Sequence, residues 1–151
     1  MILKDKIQID RSPEEVWQYI QSPALMKEWD PKIKAVVPVS WGAPAEGYRY
    51  RVRLKMNRRE GNFLAEFLEY QEPAKLIVHL SGGNLPVKGY IQEIYELTEN
   101  TRGTLLRHRL EVQNSGRHIF SNSLILFIHY AFRIFSRGRH LRALKEFVET
   151  I

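Results

Sequence analysis

The chain has 151 residues, 44% hydrophobic and 26% charged, which matches one globular domain and excludes a disordered or low-complexity protein. It contains no cysteine, so disulfides, thiolate metal sites and a cysteine nucleophile are all excluded. A net charge of +6, with 23 Lys and Arg against 17 Asp and Glu, fits plain solubility, nucleic acid or anionic lipid, and only the placement of the charges separates these.

Residues 2–10 alternate as a strand does and start without the apolar run of a secretory leader, so a cytoplasmic location is expected. The segment from Asp10 to Glu15 then reads as a helix start. Ser12 is a good N-cap, Pro13 fits the first helical position, and Glu15 completes a capping box. The helix at 13–21 carries Val16, Tyr19 and Ile20 on one stripe. Ser22-Pro23 restarts a second short helix that ends around Trp29-Asp30-Pro31.

Residues 32–113 are strand-like and punctuated by turn residues, with strands expected near 32–40, 47–57, 61–70, 74–81, 87–98 and 103–113. The clearest is 47–57. There Tyr48, Tyr50, Val52, Leu54 and Met56 alternate with Arg49, Arg51, Arg53, Lys55 and Asn57, as in an antiparallel sheet with one buried face. After Asn114-Ser115-Gly116 the pattern turns helical from Arg117 to the end. About 30 helical residues would make a rod of about 45 Å. The longest apolar run, Leu124 to Ile128, is far shorter than the roughly 20 residues that cross a bilayer. One strand, two short helices, six strands and a long helix predict an α+β domain over 1–151, its sheet covered by the final helix.

That order is the helix-grip arrangement, and the motifs agree with it. The chain resembles the START-like or SRPBCC superfamily, in particular its polyketide cyclase/dehydrase-like branch. The resemblance is carried by Ser12-Pro13-Glu14-Glu15-Val16-Trp17, by Trp29-Asp30-Pro31 with Ile33, and by the run from Glu69 to Leu76 around Pro73. Tyr95-Glu96-Leu97 and Gly103-Thr104 leading into Leu106, His108, Leu110 and Val112 extend it, and Leu144-Lys145-Glu146-Phe147 closes it. What the resemblance implies is a curved sheet of about seven strands around the final helix, with a lipophilic cavity between them. It implies no particular reaction, because fold does not fix chemistry.

Pairing the strands at 87–98 and 103–113 through their short turn sets Tyr95 opposite Leu106, Glu93 opposite His108 and Ile91 opposite Leu110, all on the apolar side. A carboxylate beside an imidazole in a greasy interior is an acid/base pair, a polar anchor for a ligand, or a self-satisfied structural pair. The same logic brings Tyr50 near Glu69. The expected ligand wall comprises Tyr50, Val52, Leu54 and Phe67 from the first two strands, then Val78, Ile91, Tyr95, Leu106 and Leu110. Trp29 would stand at the entrance, and Ile128, Phe132 and Phe135 would face in from the final helix.

Arg51, Arg53, Lys55, Arg58 and Arg59 form a basic outer stripe without interleaved exposed aromatics, so nucleic-acid binding is not expected, and Glu66 is their simplest partner. The final helix carries more apolar residues than one stripe needs, including Ile125, Leu126, Tyr130 and Phe132, followed by Arg133, Arg137, Arg139 and Arg142 around Gly138. Three covers stay open for that surplus: the rest of the fold, a second copy, or an anionic membrane surface. The histidines at 79, 118, 129 and 140 show no metal-ligand spacing, so neither metal nor cofactor is expected. The expected function is binding or carriage of a small hydrophobic molecule. The alternatives are a cyclase or dehydratase working through Glu93 and His108, or an interaction module working through the helix.

Overall fold

A computed structural model describes residues 2–56, 59–83, 89–113 and 138–151. The elements run β1 (Ile2–Ile9), α1 (Pro13–Ile20), α2 (Pro23–Trp29), β2 (Ile33–Pro38), β3 (Arg49–Met56), β4 (Arg59–Gln71), β5 (Lys75–Gly82), β6 (Tyr90–Asn100), β7 (Gly103–Gln113) and α3 (Arg139–Thr150). The strands form one seven-stranded antiparallel sheet in the order β1-β7-β6-β5-β4-β3-β2. Consecutive strands from β2 to β7 are antiparallel neighbours, and β1 closes onto β7. This is the helix-grip order.

Local chemistry sets the helix starts. Ser12 stands in extended backbone; its hydroxyl accepts from the Glu15 N–H at 3.3 Å, while the Glu15 carboxylate accepts from the Ser12 N–H at 2.9 Å. Both free donors at the turn are thereby met. Ser22 repeats the device by accepting from the Leu25 N–H at 3.3 Å. Pro13 and Pro23 occupy the first turns, where a missing N–H costs nothing.

The period-2 pattern sends Tyr50, Val52 and Leu54 of β3, Phe63, Ala65 and Phe67 of β4, and Leu76, Val78 and Leu80 of β5 into one core. Val16, Trp17 and Ile20 of α1 and Leu141, Leu144 and Val148 of α3 complete it. Register shifts in β2, between Ile33 and Ala35, and in β4, between Phe67 and Glu69, bend those strands where the sheet must curve. The outer basic stripe is partnered differently from expectation: Glu66 pairs with Arg49 at 3.5 Å, and Arg53 approaches Glu60 at 4.0 Å.

One expectation changes at the C-terminal end. Helix α3 has its own start at Gly138, whose φ of 62° is left-handed. A left-handed residue does not continue a right-handed helix, so the described helix is set off at Gly138; the rest of the rod expected from Arg117 lies outside the described residues. A side chain at Gly138 would also meet the Asp5 carboxylate at 3.4 Å, so the start packs close to β1. Residues 114–137, which include Ile128, Phe132 and Phe135 and the apolar surplus for which the rest of the fold, a second copy and a membrane surface stood open as covers, lie outside the described residues. Among the described residues no helix is long and apolar enough to cross a membrane.

Candidate functional site

The β6–β7 hairpin turns more tightly than the sequence pattern predicts. Asn100 pairs with Gly103, so only two residues make the turn, and Gly103 adopts φ 115°. Tyr95 therefore sits opposite His108, Glu93 opposite Leu110, Leu97 opposite Leu106 and Ile91 opposite Val112. The register differs from the expected one by two residues, which keeps every side chain on its face. Glu93 and His108 become diagonal neighbours and still meet, with His108 Nε2 3.1 Å from Glu93 Oε2. On the other hairpin Tyr50 lies opposite Ala65, while Glu69 turns to Lys75 at 3.3 Å. The expected Tyr50–Glu69 pairing does not form, because the β3–β4 register is set by Met56 opposite Arg59 and β4 is bulged before Glu69.

Around Glu93 the fold collects a buried polar cluster. The Tyr95 hydroxyl donates to Glu93 Oε2 at 2.7 Å and lies 3.0 Å from Nε2 of His140 on α3. His140 Nε2 is 3.7 Å from Glu93 Oε2, and His140 Nδ1 is 3.5 Å from Asp30 Oδ2. Asp30, the residue that ends α2, also pairs with Lys32 Nζ at 3.5 Å and accepts from the Lys32 N–H at 3.0 Å. The ring of Trp29 packs 5.1 Å from the His140 ring, and its indole N–H donates to the Tyr19 carbonyl at 2.8 Å.

Burial and charge set the protonation of these groups. Burial pushes the Glu93 carboxyl up, but the Lys32 ammonium and the hydrogen bond from His108 outweigh it and hold Glu93 well below the usual carboxylate range. An ionised carboxylate only accepts, so His108 and Tyr95 both donate to it. Burial, aided by Lys32, pushes His140 well below its usual value and keeps it neutral. Burial raises Asp30 despite the nearby Lys32. Burial and the Glu93 charge raise both Tyr50 and Tyr95, which stay neutral phenols.

A small cavity of about 20 Å³ opens beside this cluster. Its polar lining is Asp30, Lys32, Tyr50, Glu93 and Tyr95, and its apolar lining includes Val52, Leu54 and Val78. That volume is room for about one water. Glu93 and Tyr95 reach it, whereas the His108 side chain stands behind Glu93 with no exposure. The arrangement offers a carboxylate that accepts, held in place by the Tyr95 phenol, at the edge of an apolar space, the polar grip that a guest hydroxyl needs.

A family model described as polyketide cyclase / dehydrase and lipid transport matches residues 2–149. The chain belongs to this family. Solved structures share its fold at low identity. A protein from Thermus thermophilus is 14% identical with a TM-score of 0.76, covering 99% of this chain and 98% of its own. A START superfamily protein from Mycobacterium smegmatis is 16% identical with a TM-score of 0.74, covering 99% and 97%. A polyketide-cyclase-like protein from Corynebacterium glutamicum is 17% identical with a TM-score of 0.63, covering 98% and 91%. No curated protein matches the chain in sequence.

Within this polyketide cyclase/lipid transport fold the sequence-derived wall divides in two. Tyr50, Val52, Leu54, Val78, Glu93 and Tyr95 gather at the cavity. Phe67, Ile91, Leu106 and Leu110 are buried in the core away from that lining. Trp29 is 4% exposed and packs over His140, so it is an interior wall and not an entrance. Sequence reasoning missed Asp30, Lys32 and His140. The signal for His140 was its spacing of four and eight residues from Leu144 and Val148, which places it on the buried stripe of α3. Asp30 and Lys32 carried only the weak signal of charges flanking a proline before an apolar strand.

Proposed function

We propose that the protein binds a small hydrophobic molecule carrying one hydroxyl group, as a carrier or binding protein. The observation that carries this reading is the ionised Glu93 carboxylate, held by the Tyr95 hydroxyl, at the lip of the apolar space. The family match over residues 2–149, with its lipid-transport members, supports the same reading and supports taking 1–151 as one domain. Burial of the guest's apolar surface supplies the affinity at about 25 cal/mol per Å² before entropic costs, and the polar pair fixes its orientation. A guest larger than a water must part the described walls or occupy space beyond them.

A comparison of 1-naphthol with naphthalene tests this, read by fluorescence titration and by native mass spectrometry of the purified full chain. Naphthol should bind about tenfold more tightly than naphthalene, the worth of one hydrogen bond to a charged group. Glu93→Gln should erase the difference while leaving naphthalene binding in place. Failure of both compounds to bind, with no lipophile co-purifying, overturns the proposal.

A second reading, a cyclase- or dehydratase-type reaction, is favoured by the 3.1 Å contact between Glu93 and His108. In that reading Glu93 touches the substrate and His108 orients it. A carboxyl held well below its usual range is a weak base, which favours binding over catalysis.

A further inference from the structure

We propose that Glu93, His108 and His140 form a binding site for one divalent first-row metal ion of the zinc type, with Asp30 as the residue that orients His140. Each of the three offers one ligand atom, and these atoms all lie within 4.8 Å of one another. The two measured edges of the triangle are 3.1 Å from His108 Nε2 to Glu93 Oε2 and 3.7 Å from His140 Nε2 to the same oxygen. A tetrahedral zinc with bonds of about 2.0–2.1 Å sets its ligands about 3.4 Å apart, midway between those edges. Two imidazoles and a carboxylate are the donor set that borderline divalent ions favour.

The surroundings have the second layer that metal-binding histidines need. An ion on His140 Nε2 leaves the ring proton on Nδ1, which faces Asp30 Oδ2 at 3.5 Å. The Tyr95 hydroxyl, 2.7 Å from Glu93 Oε2 and 3.0 Å from His140 Nε2, braces the carboxylate and would yield its contact with His140 to the ion. Lys32 is the opposing element, a buried ammonium 3.5 Å from Asp30 Oδ2 that competes with an added cation for the same negative charge. The ligands come from β6, β7 and α3, with Glu93 and His108 15 positions apart, so no short motif announces them and the spacing-based expectation of no metal does not apply.

The site shares Glu93 with the guest's polar grip but does not rest on that reading, so metal binding is measured on the full chain with metal alone. Titration with Zn²⁺ by calorimetry should give one ion per chain, and Co²⁺ should develop the intense visible bands of four-coordinate cobalt. Asp30→Asn should weaken Zn²⁺ binding about 10- to 100-fold, and His140→Ala and Glu93→Gln should each weaken it more. Lys32→Met should tighten it, and His79→Ala, on the opposite face of the sheet beside Gln92, should leave it unchanged. Absence of binding up to about 1 mM Zn²⁺, or binding untouched by His140→Ala and Glu93→Gln, overturns the proposal. Should circular dichroism show those variants unfolded, the Co²⁺ spectrum of the unaltered protein decides: without four-coordinate bands the proposal fails. Naphthol binding without zinc binding defeats only the metal site, and zinc binding without naphthol binding defeats only the carrier reading.

Discussion

Replacing Tyr95 with Phe removes one oxygen atom and nothing else. Tyr95 is 1% exposed, and its hydroxyl donates to Glu93 Oε2 at 2.7 Å. The ring keeps its packing, 4.6 Å from the His108 ring, so lost packing contributes little. What is lost is a hydrogen bond to an ionised group, worth about 1.5–3 kcal/mol, and the carboxylate loses a buried donor. Tyr95→Phe should therefore destabilise the fold by about 2 kcal/mol. With a urea slope of about 1–3 kcal/mol per molar, the unfolding midpoint falls by about 1 M. Tryptophan fluorescence in urea reads this out, because Trp17 and Trp29 are 0% and 4% exposed and report unfolding, whereas Trp41 is already 99% exposed. Tyr48→Phe is the control: its ring packs 6.2 Å from Tyr50 and 5.8 Å from Phe67, and removing its hydroxyl should change stability by less than about 0.5 kcal/mol. If Tyr95→Phe proves as mild as the control, the polar cluster is not a bonded network and the reasoning built on it is refuted.

Ser12→Ala removes the N-cap of α1 and should cost about 1 kcal/mol, read from the thermal or urea midpoint; a cost near zero would mean Glu15 alone satisfies the turn. Gly103→Ala would press a methyl group onto the Ile9 carbonyl and within 2.9 Å of the Arg11 backbone, so it should cost more than about 2 kcal/mol. Gly42→Ala, also left-handed but with nothing within 4 Å, should cost about 1 kcal/mol, and equal losses at the two sites would show that only φ matters. His79 is pushed below 6.5 chiefly by burial, against the pull of Glu66. Its contribution to stability is therefore complete above the unfolded value near 6.5 and declines as pH falls below it, because the unfolded chain takes up the proton first. An NMR titration of the ring should give a midpoint under 6.5 that Glu66→Gln lowers further; a midpoint at or above 6.5 contradicts the burial account.

Features governed by neighbours in the chain were legible without coordinates. The capping box at Ser12 and Glu15 depends on residues three apart, and the inward faces of β3, β6 and β7 depend only on period-2 alternation, so both stand as read. The order of elements pointed to the helix-grip fold for the same reason: with so many meandering strands, one sheet face needs a helical cover. The meeting of Glu93 and His108 survived even a two-residue error in register, since an even shift keeps both side chains on one face.

What the sequence could not specify was anything that depended on distance across the fold. The hairpin register was decided by a two-residue turn at Gly103, and the start of α3 by a left-handed Gly138. The site itself grew from Glu93 and His108 to include Asp30, Lys32 and His140, contributed by the end of α2, the approach to β2 and the first turn of α3. No periodicity links residues 30, 93 and 140. Only the curvature of the sheet and the docking of α3 against it bring those charges within a few ångströms, where burial and mutual attraction give them chemistry that none has alone.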